Sequence, residues 1–256
     1  MNRQFSLSHT IRYDECNCDG VLTPTAVLRY MQDIAALDAE NAQLVGNGYW
    51  VVKRTSIAFA APVRVHTKLE LKTYGIHFTR ITAQRGYEAS IVGENEQPVI
   101  SARTLWVYVD AHGRPVRLPE GTASIWLADG SLPQQSETPF PALPETAPET
   151  TEASVQFSDI DPMRHLNNAS AVEMLDNASW QAFAKDGILP DTTVLNVLSY
   201  NIEYVNSPRF GDRLEIQSWL EPLTAEGQEY SRLQQITHDG KVMVKAFSRW
   251  LYRIKL

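Results

Sequence analysis

The densest run of polar side chains in the chain is Ser158-Asp159-Ile160-Asp161-Pro162-Met163-Arg164-His165-Leu166-Asn167-Asn168. Within it a carboxylate and an imidazole stand four residues apart, on a segment that leads into a helical pattern. Asp161 could orient His165 or polarise a water, and an imidazole accepts a proton near neutral pH. Backbone N–H groups at a helix start lack partners and favour an oxyanion. The same residues also suit a plain structural role, with Asp161 and Asn167 or Asn168 capping the helix and His165 a satisfied loop residue. Which of Asp161 and His165 would contact the water stays open at this level.

The other reactive side chains are less well placed. His112 and His238 fall in turn sequences, and His66 and His77 near strand ends. His9 lies in the first strand with no obvious partner. Cys16 and Cys18 read as half-buried apolar fillers, and two cysteines are too few for a disulfide framework or a zinc site. There is no G-x-S-x-G elbow, P-loop, G-x-G-x-x-G or H-E-x-x-H, which removes the common serine hydrolase, nucleotide and zinc-protease classes. No metal and no cofactor is expected.

The polar run must be positioned by the elements around it, and those occur twice. Gly20-Val21-Leu22-Thr23 and His165-Leu166-Asn167-Asn168 lie 145 residues apart, each opening a helical pattern. The first helix has Thr23 as N-cap, Pro24 at its first position, an apolar face of Val27, Tyr30, Met31 and Ile34, and an end near Gly46. The second starts near Asn168, carries Val172, Leu175, Ser179, Ala182 and Phe183 on one face, and ends at Gly187. Ile57-Ala58-Phe59 and Ile202-Glu203-Tyr204 keep the same spacing, as do Leu69-Glu70-Leu71 and Leu214-Glu215-Ile216. Trp106-Val107-Tyr108 and Trp250-Leu251-Tyr252 are 144 apart. This is an internal duplication. Each copy reads as a strand, a long helix and several strands, with turns at Ala111-His112-Gly113 and His238-Asp239-Gly240. The expected class is α+β, each helix wrapped by an antiparallel sheet and the two copies forming a fused pseudo-dimer. At the place of His165 the first copy is expected to hold Gly20, so one reactive centre per chain is expected, in the second half.

Composition divides the chain in the same way. Five of the 14 prolines fall in residues 131–150, which hold three glutamates and no basic residue. That stretch reads as an extended linker between domains at 1–130 and 151–256. The 256 residues carry a net charge of −7, so bulk charge gives no attraction to nucleic acid or anionic membrane. No apolar run of 18 residues is present, so membrane insertion is not expected, and no signal sequence is visible before Tyr13; a reducing cytoplasm is the expected compartment.

Trp50-Val51-Val52, the Asp159–Asn168 segment, and Ile202-Glu203-Tyr204-Val205 with Phe210-Gly211-Asp212 resemble the acyl-ACP thioesterases of bacteria and plants. The resemblance covers nearly the whole chain. It implies two tandem hotdog folds and hydrolysis of the thioester between a fatty acyl chain and acyl carrier protein. It also implies a first half that houses the acyl chain, with Val27 and Met31 lining the pocket, and a second half that carries catalysis. Family catalytic Asp falls on Asp161 and family His on His165. Two positions depart: the family's Asn is Met163, and a family Glu falls on Ser207. Methionine makes no useful hydrogen bond, and serine is shorter than glutamate and uncharged.

The resemblance names acyl carrier protein as partner. It is acidic, so docking calls for a local basic face, with Arg209, Arg213, Arg64, Lys68, Arg114 and Arg117 as candidates. It also leaves room for a homodimer. Two other readings remain beside acyl-ACP hydrolysis: an acyl-CoA thioesterase, and a weakly active or non-catalytic acyl-binding hotdog protein.

Overall fold

Each half of the chain begins with a strand and a single 3-10 turn, passes through a tight loop into an 18-residue helix, and continues into four strands, in a computed structural model that describes residues 1–44, 46–94, 97–223 and 227–255. In the first half these are β1 (Gln4–Thr10), α1 (Pro24–Asn41), β2 (Tyr49–Phe59), β3 (Lys68–Phe78), β4 (Thr82–Ile91) and β5 (Ile100–Val109). A short helix α2 (Thr122–Trp126) follows. In the second half they are β6 (Glu149–Ser154), α3 (Asn168–Lys185), β7 (Thr193–Tyr204), β8 (Arg213–Leu220), β9 (Glu229–His238) and β10 (Lys241–Ile254).

Helix starts follow their caps. Thr23 Oγ1 accepts from Ala26 N at 3.2 Å with Pro24 next, and Asn167 Oδ1 accepts from Ala169 N at 2.8 Å. The expected apolar faces of both helices are buried. α3 stops before Gly187, which takes φ 75, the left-handed conformation that terminates helices. α1 ends earlier than Gly46: it stops at Asn41, and Gln43 turns the chain at φ 52.

The described strands form one ten-stranded antiparallel sheet in the order β1-β3-β4-β5-β2-β7-β10-β9-β8-β6. The order is the same read outward from its centre in either direction, so the halves share one topology: two hotdog folds in tandem, each helix packed on its own strands. They join at β2 and β7, from Arg54 opposite Glu203 to Ala58 opposite Ser199. Two contacts mark the pseudo-twofold between the halves, Ser56 Oγ to Asn201 Oδ1 at 2.7 Å and Arg29 to Glu173 at 3.2 Å. Arg29 and Glu173 are 144 residues apart and equivalent. In a true homodimer one residue type would face itself there; after fusion the two copies carry opposite charges. The apolar cores of the two halves are continuous across the α1–α3 contact.

The proline-rich join has no helix or strand from 131 to 148, yet it is tied down. Gln84 Nε2 donates to Gln135 O at 2.7 Å, Arg103 pairs with Glu137 at 3.2 Å, and Trp219 Nε1 donates to Thr146 O at 2.8 Å. β6 starts at Glu149, so the first strand of the second half begins inside the 131–150 stretch.

Each half also buries a charged cluster against its helix. Asp38 of α1, 1% exposed, accepts from Trp126 Nε1 and Arg85 at 2.6 Å each and from Arg3 at 2.7 Å. In the second half the fully buried Arg232 donates to Asp176 of α3 at 3.1 Å and to Tyr230 Oη at 2.8 Å.

Candidate active site

The segment entering α3 is a five-residue turn. Ile160 and Leu166 pair as an isolated bridge, Asp161 N donates to His165 O at 3.0 Å, and Arg164 N donates to Asp161 O at 2.8 Å. Arg164 closes the turn at φ 65. The Asp161 carboxylate is turned inward: Oδ1 accepts from Met163 N at 2.9 Å and from His165 N at 3.5 Å. Asp161 and His165 are thus brought into one turn, but their side chains share no hydrogen bond or ion pair. The imidazole of His165 is half-buried and has no partner among the described residues.

Met163 is 41% exposed, and only its backbone N–H serves the turn. Ser207 is exposed on the loop after β7, and no hydrogen bond joins it to Asp161 or His165. That loop is nonetheless locked to the turn, because Leu166 N donates to Pro208 O at 2.8 Å. The lock ties the segment that carries Arg209 to the one that carries Arg164; both side chains are exposed and without an acidic partner among the described residues. Of the other cations considered from sequence, Arg64 lies at the first-half loop, where it donates to Asp19 O at 3.3 Å, and Lys68 and Arg213 open strands β3 and β8.

The first half repeats this turn one residue out of the expected register. Cys16 bridges Leu22, Asn17 N donates to Val21 O at 2.8 Å, and Gly20 N donates to Asn17 O at 2.9 Å. Asn17 Oδ1 accepts from Asp19 N and Val21 N, both at 3.0 Å. Gly20, at φ 70, therefore matches Arg164, and the residue in the place of His165 is Val21, not Gly20. Loops and helices correspond at a spacing of 144, whereas β3 and β8 start 145 apart.

His9 is not isolated, contrary to the reading from sequence. Its Nε2 lies 3.1 Å from Glu15 Oε2, and its ring lies 4.3 Å from that of Tyr30. Burial raises the Glu15 carboxyl, but donors from Tyr30, Arg12 N and His9 outweigh it and hold the group below its ordinary value. Tyr30 and Arg12 N reach the same oxygen at 2.6 and 2.7 Å. This network ties β1 to α1.

Val27 and Met31 border a void of about 20 Å³ between α1 and the sheet, with Leu71, Tyr87 and Ile100 opposite. That is room for about one water. The larger apolar cavity of the first half, about 270 Å³, lies along the next face of α1: Gln32, Ala35, Ala36 and Ala39, facing Trp50, Phe78, Trp106 and Trp126. Gln32 links it to the turn, since Asn167 Nδ2 donates to Gln32 Oε1 at 3.5 Å. A second cavity, about 460 Å³, lies at the equivalent place beside the first-half turn, lined by Asn17, Asp19, Asp176 and Trp180 among others. Among the described residues, no three His, Cys, Asp or Glu side chains converge as a metal site requires, and no helix is long and apolar enough to cross a membrane.

Residues 2–124 match the acyl-ACP thioesterase N-terminal domain, and residues 155–252 match the thioesterase-like superfamily. No curated protein sequence matches the chain. Among solved structures, the fold is similar to a putative oleoyl thioesterase from Lactobacillus plantarum (TM-score 0.83, 18% identity, 99% of this chain and 98% of that one). It is likewise similar to the 12:0-ACP thioesterase from Umbellularia californica (0.78, 16%, 98% of each chain). An acyl-ACP thioesterase from Bacteroides thetaiotaomicron follows (0.75, 15%, 96% and 97%). Identities this low show the shared fold over the full length, and the two domain matches fall in the order that fold requires: the first half belongs to the acyl-ACP thioesterase N-terminal domain family and the second to the thioesterase-like superfamily, which makes the chain a thioester hydrolase built from two fused hotdog domains.

Proposed function

We propose that the chain releases fatty acids from acyl carrier protein at the Asp161–His165 turn, with His165 as general base. The observation that carries this is the state of the two side chains. Asp161 is engaged by backbone donors, while the half-buried imidazole of His165 has no hydrogen-bond partner among the described residues. His165 takes one proton from a water as the hydroxide adds to the thioester carbon and the C=O π pair moves to oxygen. Collapse re-forms the carbonyl and breaks the C–S bond; the thiolate carries away the pair and receives the proton from His165. A thiol of pKa roughly 8.5 leaves readily, so one weak acid-base group suffices. The Asp161 side chain closes the turn by accepting from Met163 N and His165 N, and it sets a carboxylate in the same turn as the cation formed during the step.

The acyl chain enters the 270 Å³ cavity rather than the void at Val27 and Met31, because the former is roomier, apolar and joined to the turn through Gln32. Neither Met163 nor Ser207 supplies a side-chain contact to Asp161 or His165. Arg164 and Arg209 face the acidic carrier at the mouth. The fused halves already provide the interface that two separate hotdog chains would form, so the site needs no second copy.

Thiol release from acyl-ACP and acyl-CoA carrying the same chain tests this. Faster turnover of acyl-ACP, lost by roughly 10²–10⁴ in His165→Ala, supports the reading. Preference for acyl-CoA would reject the carrier, and undiminished turnover in His165→Ala would reject the base. Binding of acyl-ACP without any thiol release would leave an acyl-binding protein.

A further inference from the structure

We propose that the side-chain amide of Gln32, supplied by the first-half helix to the second-half turn, donates a hydrogen bond to the thioester oxyanion. The hydrogen-bond network fixes which way this amide points. Asn167 Oδ1 is the N-cap acceptor for Ala169 N at 2.8 Å, so Asn167 Nδ2 is a donor, and it reaches Gln32 Oε1 at 3.5 Å. Gln32 therefore presents Nε2, which has no acceptor among the described residues. At 3.5 Å the anchoring contact is at its long limit, so the amide is oriented yet free to close on a ligand.

Its position is where a donor is needed. Gln32 belongs to the wall of the apolar cavity and touches the residue that caps α3, two positions beyond His165. A thioester whose acyl chain lies in that cavity and whose sulfur points to the mouth has its carbonyl at this junction. Of the other donors of the wall, Arg85 and the Trp126 indole are turned to Asp38 at 2.6 Å each, and the Trp106 indole nitrogen is itself buried. Met163 offers no polar side chain in the turn itself, so an amide from the opposite half is the donor at hand.

The duplication gives the contrast. The residue 144 positions after Gln32 is Asp176, which lines the cavity beside the first-half turn. Asp176, which accepts from Arg232 and from Tyr200 Oη at 3.1 Å each, has no N–H to offer an oxyanion, whereas the amide of Gln32 does. The two cavities are thus separated chemically from the helix side as well as from the turn side.

This inference rests on the His165 turn being the site of hydrolysis, and the test separates the two. Turnover of one acyl-ACP is measured for wild type, Gln32→Ala, Gln32→Glu and His165→Ala. Affinity is measured for a thioether analogue whose carbonyl is replaced by methylene. Loss of one preorganised oxyanion donor lowers kcat by about 10²–10³. The expected result is that loss in both Gln32 variants, with KM and thioether affinity within about threefold of wild type. Gln32→Glu conserves volume, so it decides the matter if Gln32→Ala does not fold. A kcat within threefold of wild type in a folded Gln32 variant, or a loss confined to KM, overturns the role of Gln32. If His165→Ala is also fully active, the reading of the site itself fails.

Discussion

The turns at 17–21 and 161–165 are built on the same hydrogen bonds and do different things. In each, a side-chain oxygen of the first residue accepts two backbone N–H groups, a left-handed fourth residue closes the loop, and the third residue after that one opens the helix as a cap. Asn17 does this with an amide and Asp161 with a carboxylate. The scaffold therefore does not require a negative charge, an imidazole or an arginine. A carboxylate at the first position, an imidazole and an arginine appear together only in the second copy, and they are what folding alone leaves unexplained.

The same comparison extends to the helices. Asp38 on α1 is sealed against two arginines and Trp126, while Asp176 on α3 has one arginine, Arg232, and also borders a cavity. Asp38 holds Arg85 and Trp126, which line the proposed acyl cavity, so it is a structural support for that pocket. The largest effect is accordingly expected there. Asp38→Asn strands two guanidinium groups and is expected to cost about 3–5 kcal/mol in a denaturant melt. Burial raises the Asp38 carboxyl, but the Trp126 donor and Arg85 with Arg3 outweigh it, and the net shift is downward. A lowered folded value means that the stabilisation is present above the unfolded value of about 3.9 and is lost as pH falls through the folded one. Stability of the wild type should thus drop in acid more steeply than that of Asp38→Asn. Parallel curves would show that Asp38 is not a linked group.

Asp161→Asn copies the first-half turn into the second. Because Asn17 already makes both backbone bonds, the variant should melt within about 0.5 kcal/mol of wild type. Its kcat should fall about 10–100-fold, since a charge-assisted contribution of roughly 1.5–3 kcal/mol is removed from the transition state. Unchanged turnover would make Asp161 a turn residue and nothing more.

Much of this was legible in the sequence. Thr23-Pro24 and Asn167-Asn168 announce the helix starts, and Asp239-Gly240 the two-residue hairpin between β9 and β10, because caps and turns act locally. Strand correspondence was legible too, but carrying a spacing of 145 from the strands to the turn put Gly20 opposite His165. The helices correspond at 144; the connections after α1 and α3 are both seven residues long, and the extra residue falls within β7, twelve residues against eleven in β2, where alternation does not register it. The cavity was less legible still. Helical spacing picks out Val27 and Met31 as buried, and they are. Where space remains depends on what the sheet sends across. Ala35, Ala36 and Ala39 in one turn and a half, with tryptophans at 50 and 106, were the available signal. The His9–Glu15–Tyr30 contact joins a strand to a helix through the fold and had no local mark.

Arg164 sharpens the comparison at smaller cost. A non-glycine residue in the left-handed region is disfavoured by about 1–2 kcal/mol, and the first copy avoids this with Gly20. Strain of this kind persists where the side chain is used. Arg164→Gly should raise stability by about 1 kcal/mol and raise KM for acyl-ACP, with KM for a short acyl thioester of free pantetheine unchanged. A stabler protein with unaltered KM for acyl-ACP would remove Arg164 from carrier docking.

The smallest expected effect is the most discriminating. Val21→His places an imidazole in the first-half turn, on a scaffold that already superposes bond for bond on the second. If the imidazole were sufficient, this variant in a His165→Ala background would recover turnover. It should recover none. The cavity it faces is lined by Asp176 where the other has Gln32, and by Asp19, so an oxyanion forming there finds no amide donor on the helix. Its acidic lining also opposes an acidic carrier. The informative companion is Val21→His combined with Asp176→Gln in the same background. Turnover above the His165→Ala baseline in that variant, and not in Val21→His alone, would assign the difference between the two cavities to the helix residue. Turnover in Val21→His alone would show instead that the turn carries the whole distinction.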